Sequence, residues 1–148
     1  TPGLAYEQAN VAPNSTLPVK EIGYNYRVSF DIDGTKEAMG TELFRSQDAV
    51  FYLSDPISGM LGFARDGYLN TFTYNVQPGQ RMNIAIEGDN KATRLFINGK
   101  QVEELNIQER WMDKEGKSRM RNVRTLVFPL EKAGNFQSKI TNLKVEQK

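Results

Sequence analysis

The stretch that decides the fold is ATRLFINGKQVEEL, residues 92–105. Apolar residues alternate with polar ones on both sides of Asn98-Gly99, so the pattern predicts two strands joined by a two-residue connection. Both residues tolerate the positive φ of a type I′ turn, which makes Asn-Gly the strongest short-range signal for a β-hairpin. We therefore interpret Asn98 as a turn residue rather than a ligand contact.

Alternation with a period of two dominates the rest of the chain. In RVSFDID, Val28, Phe30 and Ile32 share one face, as on a half-buried strand. Gly, Pro, Asn and Asp separate such stretches at short intervals, and no long helical stripe competes with them. The final stretch, ITNLKVE, departs from strict alternation between Ile140 and Leu143, which predicts a β-bulge. We predict an all-β fold, a jelly-roll β-sandwich of two antiparallel sheets.

The composition excludes several classes of function. The 148 residues are 39% hydrophobic and 25% charged, as expected of one soluble globular domain. Lys and Arg number 19 against 18 Asp and Glu, so the charge balance does not favour nucleic acid as a partner. No apolar run is long enough for membrane insertion. The sequence contains no His and no Cys, which excludes Ser-His-Asp and Cys-His catalysis and an ordinary zinc site.

The order of these elements resembles that of a known family. A strand such as YRVSFDI is followed by TELFRSQDAVFYLSD, MLGFARDGYLNTFTYNV, the RLFINGKQV hairpin and a last strand, ITNLKV. This order resembles the laminin G-like branch of the concanavalin A-like lectin and glucanase jelly rolls over residues 24–146. The resemblance implies a laminin G-like β-sandwich at 24–148, preceded at 1–23 by an N-terminal extension or linker with a first edge strand. One departure is Arg81-Met82, which stands where that family often has an aromatic residue after the Pro/Gly turn.

A narrower resemblance concerns LPVKEIGYNYRVSFDI and GTELFRSQDAVFYLSDPISGMLGFARDGYLNTFTYNVQPGQ. Both are similar to the C-terminal domain of bacterial β-N-acetylhexosaminidases of glycoside hydrolase family 20, notably from Bacteroides-like organisms. In that family an adjacent Asp-Glu pair in a separate barrel domain carries the chemistry, and this sequence has no Asp-Glu dipeptide. The resemblance implies a non-catalytic accessory domain that packs against the catalytic domain of its parent chain. The alternative is a carbohydrate-binding module for amino-sugar-containing glycans.

The same resemblance implies a periplasmic, extracellular or cell-surface location in a bacterium. Bacterial domains of this kind often lack disulfides, which agrees with the absence of Cys. The chain begins with Thr1 rather than Met. We therefore expect an excised fragment or a processed chain whose export signal lies outside this sequence.

Candidate binding residues follow from parity and from local composition. Tyr52 has the opposite parity to Phe51 and Leu53, which predicts that it is more exposed than they are. Trp111 lies in the most charged stretch, QERWMDKEGKSRMRNVR, for which we predict a hairpin extension or a short helix with a loop. The alternative for that stretch is a solvated loop anchored by one tryptophan. We take Tyr52, Arg65 and Trp111 as candidate contacts to a glycan or to a neighbouring domain.

Acidic residues raise two further hypotheses. Asp31 and Asp33 share a strand face, and two carboxylates across a sugar cleft would permit glycoside hydrolysis. DIDGTKE fits a solvated strand that runs into a glycine turn equally well. Calcium takes about six to eight oxygen ligands, and its candidate ligands here are Asp31, Asp33 and Asp89, although Asp at strand ends is also ordinary turn chemistry. No cofactor other than this structural calcium is expected.

Overall fold

The computed structural model describes residues 2–65, 67–106, 108–122 and 126–148, and within these ranges the chain forms strands, turns and loops without a helix. It follows that none of these residues belongs to a helix able to cross a bilayer. The strands are β1 (Gly3–Val11), β2 (Thr16–Val19), β3 (Tyr26–Asp33), β4 (Thr41–Ser46), β5 (Ala49–Ser54), β6 (Gly62–Arg65), β7 (Tyr68–Thr71), β8 (Arg81–Gly88), β9 (Thr93–Ile97), β10 (Lys100–Leu105), β11 (Gln108–Met112), β12 (Ser118–Asn122), β13 (Leu130–Ala133) and β14 (Lys139–Gln147).

Twelve of these strands form two antiparallel sheets of six. The first sheet has the order β1-β14-β3-β8-β9-β10, and the second has the order β2-β13-β4-β5-β6-β7. Strands from opposite ends of the chain are neighbours in both sheets, because the chain crosses repeatedly between them, as in a jelly roll. The predicted fold class, an all-β jelly-roll sandwich of two antiparallel sheets, is confirmed.

A shared apolar core lies between the two sheets. Phe30 of β3 packs edge-to-face on Phe44 of β4, with ring centroids 5.9 Å apart. Phe63 makes the same kind of contact with Phe51 at 4.3 Å and with Phe72 at 5.7 Å. Pairs of this kind contribute about 0.5–1.5 kcal/mol each beyond the burial of apolar area. Because the inner faces interlock, the outward side chains of each sheet are presented on a rigid support.

The turn and the bulge that the sequence predicts are both confirmed. Asn98 and Gly99 have φ values of 51° and 82° and connect β9 to β10. Oδ1 of Asn98 also accepts a hydrogen bond from the backbone N–H of Asn83 at 2.9 Å, which ties the hairpin to β8. In β14 the register with β3 shifts around Asn142, whose φ is 54°.

The first 23 residues contribute a strand to each sheet. β1 pairs with β14 at the edge of the first sheet, and β2 pairs with β13 at the edge of the second. Val11, Leu17 and Val19 are buried in the core. The segment for which the sequence suggested an extension or linker with a first edge strand therefore carries two edge strands, and both sheets pack over its apolar residues.

Candidate functional site

A β-bulge in β4 brings two charged side chains to one face of the second sheet. In a regular strand Glu42 and Arg45 would point to opposite faces, because side chains alternate with a period of two. The register with β5 shifts at Leu43, so Glu42 lies opposite Tyr52 and Arg45 lies opposite Val50. Arg45 donates from Nε and Nη2 to the two carboxylate oxygens of Glu42 at 2.9 and 3.0 Å. The result is a bidentate ion pair on the outer surface of the sheet.

Tyr52 lies beside this ion pair on the same outer surface. It is half-buried, whereas Phe51 and Leu53 are in the core, as their parity predicts. Its partner on the other side is Gly62 of β6, which is buried, and the next residue on that face is the half-buried Ala64. We call this surface the Tyr52 face; its residues are Glu42, Arg45, Val50, Tyr52, Gly62, Ala64, Leu69 and Thr71.

The charged groups of the Tyr52 face are both held in place and accessible. The hydrogen bonds that Arg45 donates to Glu42 raise the pKa of Arg45, against the opposing effect of partial burial, and Tyr52 acts electrostatically in the same direction as Glu42. The side chains of Arg45 and Glu42 are nevertheless 49% and 28% exposed. A guanidinium donates hydrogen bonds and a carboxylate accepts them, while a tyrosine ring offers apolar surface with a polar tip. Together they suit a ligand that has both hydroxyl groups and an apolar face.

The segment after β13 holds the bulge in position. The backbone N–H of Gly134 donates to the carbonyl oxygen of Leu43 at 2.9 Å, and the backbone N–H of Glu42 donates to Oδ1 of Asn135 at 3.3 Å. A Cβ atom at Gly134 would lie 1.9 Å from the carbonyl oxygen of Glu42. Only glycine therefore permits this close approach of the two backbones, and the location of Glu42 depends on it.

Arg65 does not lie on the Tyr52 face. It is the last residue of β6, opposite Ala49 of β5 and Tyr68 of β7. Strand alternation from Ala64 directs it to the other side of the sheet. Parity within one strand could not separate it from Tyr52, because the two residues lie on neighbouring strands and their relative face depends on the register between β5 and β6.

Trp111 lies in the β11–β12 hairpin, so of the two conformations predicted for the charged stretch the hairpin is the one found over residues 108–122. In the part of the chain that is described, these two strands pair with each other and with neither sheet. Trp111 is opposite Arg119 and is 41% exposed, and the guanidinium carbon of Arg121 is 5.7 Å from the centre of its ring. Met112 and Met120 are 62% and 53% exposed. The hairpin is therefore an exposed aromatic and basic element, separate in the sheet order from the Tyr52 face.

Asp31 and Asp33 share a face of β3, as predicted, but both bind the same guanidinium. Arg81 donates to Asp33 at 3.0 Å and to Asp31 at 3.4 Å, and Asp31 also accepts from Asn142 at 2.8 Å and from Asn83 at 3.1 Å. The bonds from Asn142 and Asn83 hold the pKa of Asp31 below its usual range. Because these oxygens already face a cation and amide donors, the arrangement favours neither a calcium site nor a catalytic carboxylate pair.

Asp89 orders a turn. Its Oδ1 accepts the backbone N–H groups of Lys91 and Ala92 at 2.7 and 2.9 Å, and its Oδ2 accepts Nη1 of Arg94 at 3.0 Å. Burial acts to raise the pKa of Asp89, but these bonds lower it below the usual range. Across residues 2–65, 67–106, 108–122 and 126–148, no three acidic side chains converge as a metal centre would require.

The fold is a concanavalin A-like jelly-roll β-sandwich of two antiparallel sheets, and solved structures of other proteins share it. Galectin LEC-6 from Caenorhabditis elegans matches it with a TM-score of 0.56 and 12% sequence identity over 94% of each chain. Domain 4 of AbnA, a GH43 extracellular arabinanase from Geobacillus stearothermophilus solved in complex with arabinotriose, matches with a TM-score of 0.61 and 16% identity over 99% of this chain and 75% of that one. At these identities the likeness shows the fold alone. No protein-family model and no curated protein matches the sequence.

Proposed function

We propose that this chain is a non-catalytic carbohydrate-binding domain whose glycan contacts lie on the Tyr52 face. The observation that carries the proposal is the bidentate Arg45–Glu42 pair next to the half-buried Tyr52 on one face of the sheet. A sugar ring needs an apolar surface for its C–H groups and a few fixed polar groups for its hydroxyls. The Tyr52 face offers both within two adjacent strands.

The comparisons support this proposal by analogy of fold. The arabinanase domain was solved with an oligosaccharide, arabinotriose, so a domain of this architecture can hold one. The narrower sequence resemblance points instead to glycans that contain amino sugars. Arabinotriose and oligosaccharides of N-acetylglucosamine are therefore the two ligands to test first.

The test is a titration of the chain with each oligosaccharide, followed by calorimetry and by NMR shifts of the backbone amides. We expect saturable binding with a Kd in the millimolar range or tighter, with shifts at residues of the Tyr52 face. Tyr52→Ala should weaken binding at least tenfold, because it removes both the ring and its polar tip. The matched control is Tyr24→Ala, at a tyrosine that is 67% exposed outside this face; it should leave the Kd within about twofold. Equal losses in the two variants would contradict the proposal.

A second candidate function rests on the hairpin. Met112 and Met120 share one face of the hairpin, and Trp111 lies on the opposite face with Arg119. All three are exposed and neither sheet pairs with the hairpin in the described chain, and exposed apolar side chains of this kind are candidates for contact with a partner. The corresponding function is that of an accessory domain that docks on the catalytic domain of a parent glycoside hydrolase. The sequence resemblance suggests a bacterial β-N-acetylhexosaminidase exported to the periplasm or the cell exterior. The match to a domain of an extracellular arabinanase supports the accessory role.

This second candidate is tested on the protein isolated from its source. We expect the isolated chain to extend beyond the 148 residues and to hydrolyse p-nitrophenyl N-acetyl-β-glucosaminide. Trp111→Ala in that full chain should lower the melting temperature of the catalytic domain, whereas Tyr52→Ala should not. A native chain of the present length without hydrolytic activity would refute this candidate and leave the carbohydrate-binding proposal intact.

A further inference from the structure

A small cavity lies where three loops meet at the end of β5. Its volume is about 150 Å³. The loop after β3 supplies Lys36, the end of β5 supplies Leu53 and Ser54, and the segment after β7 supplies Asn75 and Val76. The cavity belongs to neither the Tyr52 face nor the hairpin.

The loop after β3 is fixed on two sides. The backbone of Gly34 donates to the carbonyl oxygen of Gln80 and accepts from Gly79, both at 2.9 Å. Glu37 accepts the backbone N–H groups of Gln137 and Ser138 and the hydroxyl of Ser138, at 2.7 to 3.1 Å. Glu37 also lines the cavity, but its carboxylate is occupied by these four hydrogen bonds, and the wall that carries Lys36 is rigid.

The opposite wall is equally ordered. Asp55, fully buried, accepts the backbone N–H groups of Ile57, Ser58 and Met60 at 2.8, 2.7 and 3.0 Å, and the hydroxyl of Ser58 as well. Gly59, which lines the cavity, has φ 75°. A cavity whose walls are held by this many hydrogen bonds is formed before any ligand arrives, and a ligand then loses little affinity to ordering.

Polar groups face this cavity without protein partners among the described residues. Ser54 is only 5% exposed, yet its hydroxyl makes no hydrogen bond there. The hydroxyl is not among the enclosed polar atoms that lack a partner, so it opens on the cavity, where it is available to donate to and accept from a water or a ligand. The side chains of Lys36 and Asn75 likewise bind no described residue. A cation, an amide and a hydroxyl thus surround one cavity, and the half-buried Val76 supplies apolar surface.

We propose that this cavity binds a single sugar residue that carries a carboxylate. Lys36 pairs with the carboxylate, Asn75 and Ser54 bind hydroxyl groups, and Val76 contacts the C–H face of the ring. The carboxylate follows from Lys36, because an ammonium without an acidic partner binds an anion better than a neutral group. This site is independent of the proposed Tyr52 face and does not require it.

The test is a titration of the chain with D-galacturonate, D-galactose and acetate, recorded as NMR shifts of the backbone amides. We expect D-galacturonate to shift the amides of Lys36, Ser54, Gly59 and Asn75 saturably, with a Kd in the millimolar range. D-galactose lacks the carboxylate and acetate lacks the ring, so each should bind at least tenfold more weakly. Lys36→Gln should weaken D-galacturonate binding roughly tenfold, as the loss of one charge-assisted hydrogen bond implies. The matched control, Lys100→Gln, is at the first residue of β10 and should change nothing.

Each other outcome overturns the proposal. If these amides do not shift at the highest D-galacturonate concentration, the cavity does not bind the sugar and the Ser54 hydroxyl faces water alone. If D-galactose binds as tightly as D-galacturonate, Lys36 does not recognise a carboxylate. If acetate binds as tightly, the site does not recognise a sugar ring. Equal binding by Lys36→Gln and the wild type places the ligand elsewhere. Tyr52→Ala separates the two sites, since it should abolish oligosaccharide binding on the Tyr52 face while the D-galacturonate shifts persist.

Discussion

Arg45 and Glu42 are joined by two parallel hydrogen bonds of 2.9 and 3.0 Å, although three positions in a regular strand would place them on opposite faces of the sheet. The single-residue bulge at Leu43 makes the pair possible. The same bulge sets the pair beside Tyr52, where an aromatic ring, donors and an acceptor become one surface. A bulge that redirects a side chain is a frequent device next to functional sites.

Arg45→Lys should reduce the affinity for the oligosaccharide about tenfold. Lysine keeps the charge but cannot hold Glu42 through two donors in one plane, so the acceptor beside Tyr52 is no longer fixed. The melting temperature should change little, because the pair is exposed and exposed pairs contribute about 0–1 kcal/mol. Calorimetric titration measures the first effect and thermal unfolding the second. Arg110→Lys, on the exposed hairpin, is the control, and an unchanged Kd for Arg45→Lys would show that the bidentate geometry is irrelevant to binding.

Gly134→Ala should destabilise the fold and weaken glycan binding together. Its Cβ would lie 1.9 Å from the carbonyl oxygen of Glu42, so the backbone of β4 must move, at a cost of about 3 kcal/mol. Gly23→Ala is the matched control, because its new Cβ would meet only the end of the flexible Gln147 side chain, at 3.1 Å. Chemical denaturation measures both variants. If Gly134→Ala lowers the free energy of unfolding no more than Gly23→Ala does, the close approach of the Gly134 and Glu42 backbones is contradicted.

Calcium should not stabilise this domain. Asp31 and Asp33 share the guanidinium of Arg81, and Asp89 binds Arg94 and two backbone N–H groups. A calcium ion would have to displace these donors. Melting temperatures in millimolar calcium and in EDTA should therefore agree within experimental error. A melting temperature several degrees higher in calcium would instead indicate that these carboxylates bind the ion.

The sequence predicts those parts of the fold that depend on the conformational preference of a few neighbouring residues. Asn98-Gly99 permits the positive φ of a tight hairpin, and the structure has that turn. Val28, Phe30 and Ile32 alternate with polar residues, and all three are buried. The shared face of Asp31 and Asp33 follows from the same periodicity. In each case the information lies within a few residues of the feature.

The candidate sites were less predictable because they depend on register and on contacts distant in sequence. Nothing in TELFRS marks Leu43 as an extra residue, so the periodicity of β4 separates Glu42 from Arg45. The support of that bulge comes from Gly134, far along the chain. The cavity at Ser54 is assembled from three loops, and its hydroxyl is indistinguishable in sequence from that of any strand-end serine. The exposure of Tyr52 could be predicted because it depends only on the alternation of side chains within β5.

Asp55→Asn should destabilise the domain at neutral pH and lose this effect in acid. Burial acts to raise the pKa of Asp55, but hydrogen bonds from Ser58, Ile57 and Met60 lower it below its usual range. A lowered folded-state pKa contributes stability that is fully present above the unfolded value, about 3.9, and is lost as the pH falls through the folded value. An asparagine turns one acceptor into a donor that faces other donors, which costs about 1–3 kcal/mol.

Denaturation from pH 7 to pH 3 should show a constant gap in the free energy of unfolding between the variant and the wild type down to about pH 4, and a narrowing gap below it. Asp48→Asn, at an exposed position in the β4–β5 turn, should differ from the wild type by less than about 0.5 kcal/mol at pH 7. A gap for Asp55→Asn as wide at pH 3 as at pH 7 would mean that the carboxylate charge does not hold this loop.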